Sequence, residues 1–297
     1  MKIVSLLPSA TEIVYALGLG DDLRGVSFEC DYPEAARSVP IVSGTALPTD
    51  GSLGASAIDA AVSARVAAGE SIYTLDDVRI RAIDPDLILA QDLCRVCAVP
   101  SGAVEDALEV IGCHAAVVSL DPGRLDEVIA CVGTVGAATG TGDLAATVMA
   151  ALRARVAAVR TRVEGRDRPR VLVLEWPDPP FNAGHWVPDQ IEAAGGVPVL
   201  AAAGARSRRL SWQEIAGADI DVTVFMPCGF DLAGAVAQAA TFLSRPEVAG
   251  LGRVWAVDAN AYFSRPGPRV VDGVELLERM LHGPAGEAVP GAQVLIP

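Results

Sequence analysis

The chain has 297 residues, 51% of them hydrophobic, enough for one large domain or for two modest lobes each with its own core. It carries 37 acidic against 23 basic residues, a net charge of −14, with Lys2 its only lysine and no basic block, so nucleic acid and anionic membrane surfaces are poor partners. No window approaches the ~18 apolar residues of a membrane span, and the run Ile3–Leu7 is cut at once by Pro8, Ser9, Thr11 and Glu12, too short and polar for a secretory leader. The expectation is a cytoplasmic protein with six reduced cysteines, unless these hold a metal or react.

Along the chain, short β-rich runs alternate with Ala-rich amphipathic stretches, the pattern of α/β units with parallel strands. Lys2–Leu7 reads as a strand, followed by a helix over Glu12–Leu17 that Ser9 or Thr11 caps and Gly18 and Gly20 stop. Further strands are expected near Arg24–Ser27, at Leu87–Ala90 and at Ala115–Ser119, whereas Thr45–Gly69 gives no clear pattern. From Gly142 to about Glu164, Leu144, Val148, Leu152, Val156 and Val159 recur at three- and four-residue spacing. That spacing predicts one uninterrupted helix of ~30 Å or more. Gly165–Pro169 ends it and a strand opens at Arg170–Glu175, which divides the chain into lobes 1–141 and 166–297 with a connecting helix at 142–165.

The halves share an order of parts. LDDVRIRAIDPDLILAQ and SWQEIAGADIDVTVFMP each read as helix, Asp-x-Asp turn and strand, and each places a cysteine just beyond the strand. Ligands of α/β sheets bind outside the carboxyl ends of strands. Cys94, Cys97 and Cys228 are therefore expected to face a crevice, with Cys30 after GVSFE joining them.

A Cys-x-x-Cys pair supplies two ligands of a tetrahedral Zn²⁺ site or an iron–sulfur cluster, and Cys30 and Cys228 would complete a four-thiolate set. The same spacing also serves thiol redox chemistry, with Arg95 between the sulfurs to assist a thiolate, and free cysteines also act as small apolar fillers, the reading given to Cys113 and Cys131. Glu175–Trp186 (EWPDPPFNAGHW) gathers carboxylates, two indoles, a phenyl ring and an imidazole on a proline-stiffened segment. Trp176, Asp178, Phe181, His185 and Trp186 suit a flat conjugated ligand, with His185 offering an axial nitrogen to a central metal. Asp258–Arg269, after the strand Arg253–Val257, adds Tyr262 and Phe263 as cleft-lining rings, and Arg265 and Arg269 to grip anionic groups. Arg206, Arg208 and Arg209 make a basic island read as a solvated loop, and His114 and His282 receive no role. No lysine-bearing phosphate loop and no Gly-x-Ser-x-Gly nucleophile is present.

The opening KIVSLLPSATEIVYALGLGDDLRGVS, the ECDYP and DPDLILA segments, the long helix and the closing VDANAYFSRPGPRVVDGVELL resemble the substrate-binding proteins of ABC importers for vitamin B12, haem and iron siderophores. The resemblance is nearest to the vitamin B12-binding branch, in a leaderless group, and covers almost the whole chain. It implies two Rossmann-like α/β lobes with parallel sheets joined by one rigid helix. It also implies a corrinoid such as cobalamin, or a related metal chelate, as small-molecule ligand between the lobes. The missing leader argues against an ABC permease as partner. A rival expectation is an enzyme or metalloprotein on the same fold, with Cys30, Cys94, Cys97 and Cys228 on Zn²⁺ or an Fe–S cluster and Glu175, Asp178 or His185 as acid or base.

Overall fold

A computed structural model of the chain describes residues 1–47, 54–68, 70–92, 101–111, 114–245, 248, 251–284 and 287–296. Two compact units emerge. One comprises Met1–Leu53, Ala60–Pro122 and Val128–Ala151, the other Gly54–Asp59, Gly123–Glu127 and Leu152–Pro297. Among the described residues no helix is long and apolar enough to cross a membrane.

Up to Thr139 the order is β1 (Ile3–Ser5), α1 (Pro8–Ala16), β2 (Leu23–Ser27), β3 (Ile41–Thr45), α2 (Ala55–Ala67), β4 (Tyr73–Leu75), α3 (Asp77–Ile83), β5 (Leu87–Ala90), α4 (Ser101–Ile111), β6 (Ala116–Ser119) and α5 (Leu125–Thr139), all in the N-terminal unit except the starts of α2 and α5, which belong to the second. The strands of the N-terminal unit align as β4-β3-β2-β1-β5-β6, parallel except for the antiparallel edge strand β4. β5, LILA, is buried throughout, as a central parallel strand covered on both faces requires. Val4, Leu6, Ile80, Ile88, Val104 and Leu108 pack together as one core. Ser9 and Thr11 do not cap α1, whose cap position is Leu7 with Pro8 in the first turn, where proline's preset φ and missing N–H fit. Thr11 points inward instead.

Helix α6 (Gly142–Val163) contributes Gly142–Ala151 to the first unit and the rest to the second. Its buried stripe is Ala145, Leu152, Val156, Val159 and Val163; Leu144, expected in that stripe, is exposed and Ala145 takes its place.

The second unit continues with β7 (Arg170–Pro177), β8 (Pro180–Asn182), α7 (Val187–Ala193), β9 (Val197–Pro198), α8 (Trp212–Ala216), β10 (Val222–Phe225), α9 (Leu232–Leu243), β11 (Arg253–Val257), α10 (Ala259–Tyr262), α11 (Val270–His282) and β12 (Ala292–Ile296). The sheet runs β12-β11-β10-β7-β8 with β9 also on β7; β7, β9, β10 and β11 are mutually parallel where they pair, β8 and β12 antiparallel. Leu172, Leu174, Phe225, Phe242 and Val254 form its core, each such buried side chain contributing about 1.5–3 kcal/mol of burial free energy. α8 starts on a capping box in which Ser211 and Glu214 satisfy each other's backbone N–H groups. Both units are thus α/β with mainly parallel sheets, as the alternation of strand and helix patterns predicts.

Candidate functional site

Three parallel strands of the second unit end side by side, and the residues just beyond them carry most of its unspent chemistry. β7 ends in Glu175, Trp176 and Pro177; β10 is followed by Met226–Asp231, and β11 by Asp258–Arg269. The β7 and β10 exits are stitched together by Met226 N–H to the Leu174 carbonyl (2.9 Å) and Cys228 N–H to the Glu175 carbonyl (3.0 Å). The Asn260 N–H reaches the Phe230 carbonyl at 3.3 Å and adds the β11 exit.

Aromatic rings on this edge are seated by missing side chains. Phe230 lies 6.2 Å, ring to ring, from Trp176. A Cβ at Gly234 in α9 would meet the Phe230 ring at 2.7 Å, so only glycine there leaves the ring its place. Tyr262 has the same arrangement with Gly291 (φ +89°), where a Cβ would meet the ring edge at 2.8 Å. Trp176 and Tyr262 are half-buried. The Trp176 indole N–H is buried and finds no acceptor among the described residues. A buried donor without a partner is uncommon, and the Trp255 N–H shares that state.

The charges are equally specific. Asp258 caps α10, accepting from Ala261 N–H at 2.8 Å. Burial pushes its carboxyl above the ordinary aspartate value and Asp231 adds to the rise, while the Ala261 N–H, Arg269 and Arg265 pull it back. Both arginines are half-buried beside it. The edge therefore offers aromatic faces, N–H donors and an acceptor within one segment cluster.

Other expected residues take different positions. Trp186 is 6% exposed and donates its indole N–H to the Phe263 carbonyl at 2.8 Å, and Phe263 is 1% exposed; both are interior walls, with no ring face open to a ligand. Gln190 of α7 ties the same wall together through the Tyr262 (3.1 Å) and Val270 (2.8 Å) carbonyls.

His185 does not continue past the end of β7. The chain turns back after Asp178 into β8, Leu174 pairs with Asn182, and Ala183 N–H bonds the Val173 carbonyl, so His185 leaves the sheet partway down β7. Its backbone is left-handed (φ 52°) and held on both sides, its N–H by the Ala205 carbonyl (2.7 Å) and its carbonyl by the Gly204 N–H (2.9 Å). Burial, then Arg206, hold its imidazole below the usual histidine value. At the hairpin, Asp178 pairs with Arg245 at 3.0 Å, and Phe181 is covered by the Arg209 guanidinium 5.6 Å from its centroid.

The thiols divide. Cys94 and Cys97, with Cys113, lie outside the described residues. Cys30 is 5% exposed inside the first unit, where Thr11 Oγ1 (3.1 Å) and Ser27 Oγ (3.3 Å) contact its sulfur. Cys228 is exposed beside the β10 exit, and Cys131 is buried in α5 as a filler. Among the described residues no three His, Cys, Asp or Glu side chains converge as a metal site, so the four-thiolate set gains no support. Sequence reasoning named Asp258 only as the start of its segment and missed Phe230, whose signal is its place in the short turn beyond β10.

Comparison with known proteins bears on the family and the fold. A family model described as periplasmic binding protein matches residues 3–253. A cobalamin-binding protein of Halobacterium salinarum (strain R1) is 27% identical over 288 residues, 95% of this chain and 69% of its own. The periplasmic vitamin B12 binding protein of Vibrio cholerae superimposes with a TM-score of 0.59 at 23% identity over 93% of this chain and 94% of that one. The apo periplasmic heme-binding protein of Roseiflexus sp. RS-1 reaches 0.69 at 24% over 93% and 96%. At such identities the two structures speak to the fold alone.

Proposed function

The chain belongs to the periplasmic binding protein family, and we propose that it binds a metal chelate of the corrinoid class, cobalamin or a close relative, at the strand-exit edge of its second unit. The observation that carries this reading is the similarity to a protein named for cobalamin binding along 95% of this chain. The chemistry of the edge supports it. A flat macrocycle with a polar rim needs apolar faces, and Trp176 with Phe230 and Tyr262 supply them. Its rim groups need donors and acceptors: the Trp176 N–H is an unused donor, Arg265 and Arg269 are cationic donors, and Asp258 accepts. Trp186 and Phe263 hold the wall behind these residues, and binding calls for no bond to be made or broken.

Calorimetric titration with cyanocobalamin, haemin and a ferric hydroxamate tests the proposal. The expected order is cyanocobalamin first, with micromolar affinity or better. Haemin or the hydroxamate binding while cyanocobalamin does not would replace the corrinoid by that ligand class.

A further inference from the structure

The basic island at Arg206–Arg209 borders that edge through β8, where Phe181 is the pairing partner of Trp176. Residues 207–210 run antiparallel to β8: Asn182 N–H bonds the Arg208 carbonyl (3.1 Å), Arg208 N–H the Asn182 side-chain oxygen (2.7 Å), and Leu210 N–H the Pro180 carbonyl (2.7 Å). Phe181 and Arg209 face each other as bridge partners, which fixes the Arg209 guanidinium over the ring. Its Nη2 meets Asp59 Oδ2 at 3.2 Å. Asp59 lies within Gly54–Asp59, the short stretch of chain that belongs to the second unit.

Arg208 and Arg209 differ in commitment. Arg208 pairs at 2.9 Å with Glu214, a carboxylate already locked into the α8 cap by Ser211. Among the described residues Arg209 makes one ion pair, at 3.2 Å through one nitrogen, and its side chain is 58% exposed. A guanidinium presents a planar fork suited to two parallel bonds with a carboxylate or phosphate, and an aromatic ring beneath it fixes the plane. Exposed single-contact ion pairs are weak and exchange readily.

We propose that Arg209, braced on Phe181, is an anion seat that Asp59 occupies until an anionic oxygen group takes its place. Resting on the chelate-binding reading, the natural occupant is a phosphodiester or carboxylate on the rim of the ligand. Asp59 and Arg209 then determine preference for anionic over uncharged rims.

The seat is tested first without any chelate. Inorganic phosphate is titrated into the full chain while the side-chain Nε–H signal of Arg209, identified by its loss in Arg209→Gln, is followed by NMR. In Asp59→Asn the signal should move at phosphate concentrations severalfold below those needed in the unsubstituted protein, because a neutral amide no longer competes for the fork. Equal titration of both proteins, or no movement in either, overturns the proposal; Asp59→Ser repeats the test if the Asn variant fails to fold.

Chelates then separate the sources. Asp59→Asn should tighten binding severalfold for cyanocobalamin if the phosphodiester is the occupant, or for haemin if carboxylates are, and leave dicyanocobinamide unchanged. Arg209→Gln should abolish the difference between anionic and uncharged rims. If the unsubstituted protein binds none of the three, the chelate-binding reading falls while the phosphate titration still decides the seat.

Discussion

The strand exits of the two units meet opposite fates. In the first, β1 and β2 end on Ser5 and Ser27, which with Thr11 and Cys30 form a buried group whose polar atoms lie 2.9–3.3 Å apart. In the second, the exits open onto Trp176, Phe230, Asp258 and two arginines, with an indole donor left over. The cause is how the chain leaves each strand. After β1, α1 begins at Pro8, with two residues between, and its Thr11 side chain joins Ser5 and Cys30 in the buried group. After β7 and β11 the chain spends a hairpin and a four-residue helix before the next long element, and these excursions carry large side chains. A shared strand pattern thus yields a buried polar group beyond β1 and β2 and a cluster of half-buried rings and charges beyond β7, β10 and β11.

The contrast can be broken most directly at Trp176. Trp176→Ala should weaken corrinoid binding by about tenfold to a hundredfold, the worth of a stacking aromatic at ~1–3 kcal/mol, as read by calorimetric titration. Unchanged affinity would mean the second unit's edge is not the recognition surface. Thr11→Val tests the buried group. It strips Ser5 and Cys30 of a buried hydroxyl partner and should cost about 1–3 kcal/mol in urea unfolding while leaving ligand affinity in place. A loss of affinity without a loss of stability would place ligand at the buried group instead.

The next test uses pH. The Asp258 carboxyl titrates above its ordinary 3.8 in the folded chain, so its contribution is fully present below that value and is lost as pH rises through the raised one. Compared with Asp258→Asn, which keeps the α10 cap, the unsubstituted protein should therefore lose stability as pH climbs from near 3.8. Parallel pH profiles in chemical denaturation would show that the edge is as solvated as open surface.

The smallest effect is expected at His185, whose folded value lies below 6.5. Its stabilising contribution is present above 6.5 and lost as pH falls through the lowered value. His185→Asn tolerates the left-handed backbone and does not titrate there, so thermal unfolding of the two proteins should diverge only on the acid side.

Long periodic segments were legible in the sequence. The helix from Gly142, the strand Leu87–Ala90 and the strand Arg253–Val257 stand where their apolar patterns put them. The region around Thr45–Gly69 was not: β3, β4 and α2 lie in or beside it, and its Ala-, Gly- and Ser-rich sequence carries no apolar period. The β8 hairpin was read as an extended continuation because its prolines stiffen the backbone, yet prolines also suit a turn and an edge strand. That reversal explains why His185 and Trp186 were expected at the strand exit, and why Phe181 was expected to show a face that Arg209 covers. Tyr262, Arg265 and Arg269 needed no such reversal, since they simply follow β11.

The distribution of the four indoles gives the protein a built-in optical reference. Trp186 and Trp255 are sealed at 6% and 5% exposure, one bonded to a carbonyl and the other with a buried N–H that has no partner among the described residues. Trp212 lies under the Arg245 guanidinium. Only Trp176 combines partial exposure with a place at the strand exits. The sealed pair should emit at short wavelength whatever is added, so a non-absorbing molecule occupying the exits should alter one component of the emission spectrum against a constant background. Comparison with Trp176→Phe would assign that component to a single ring.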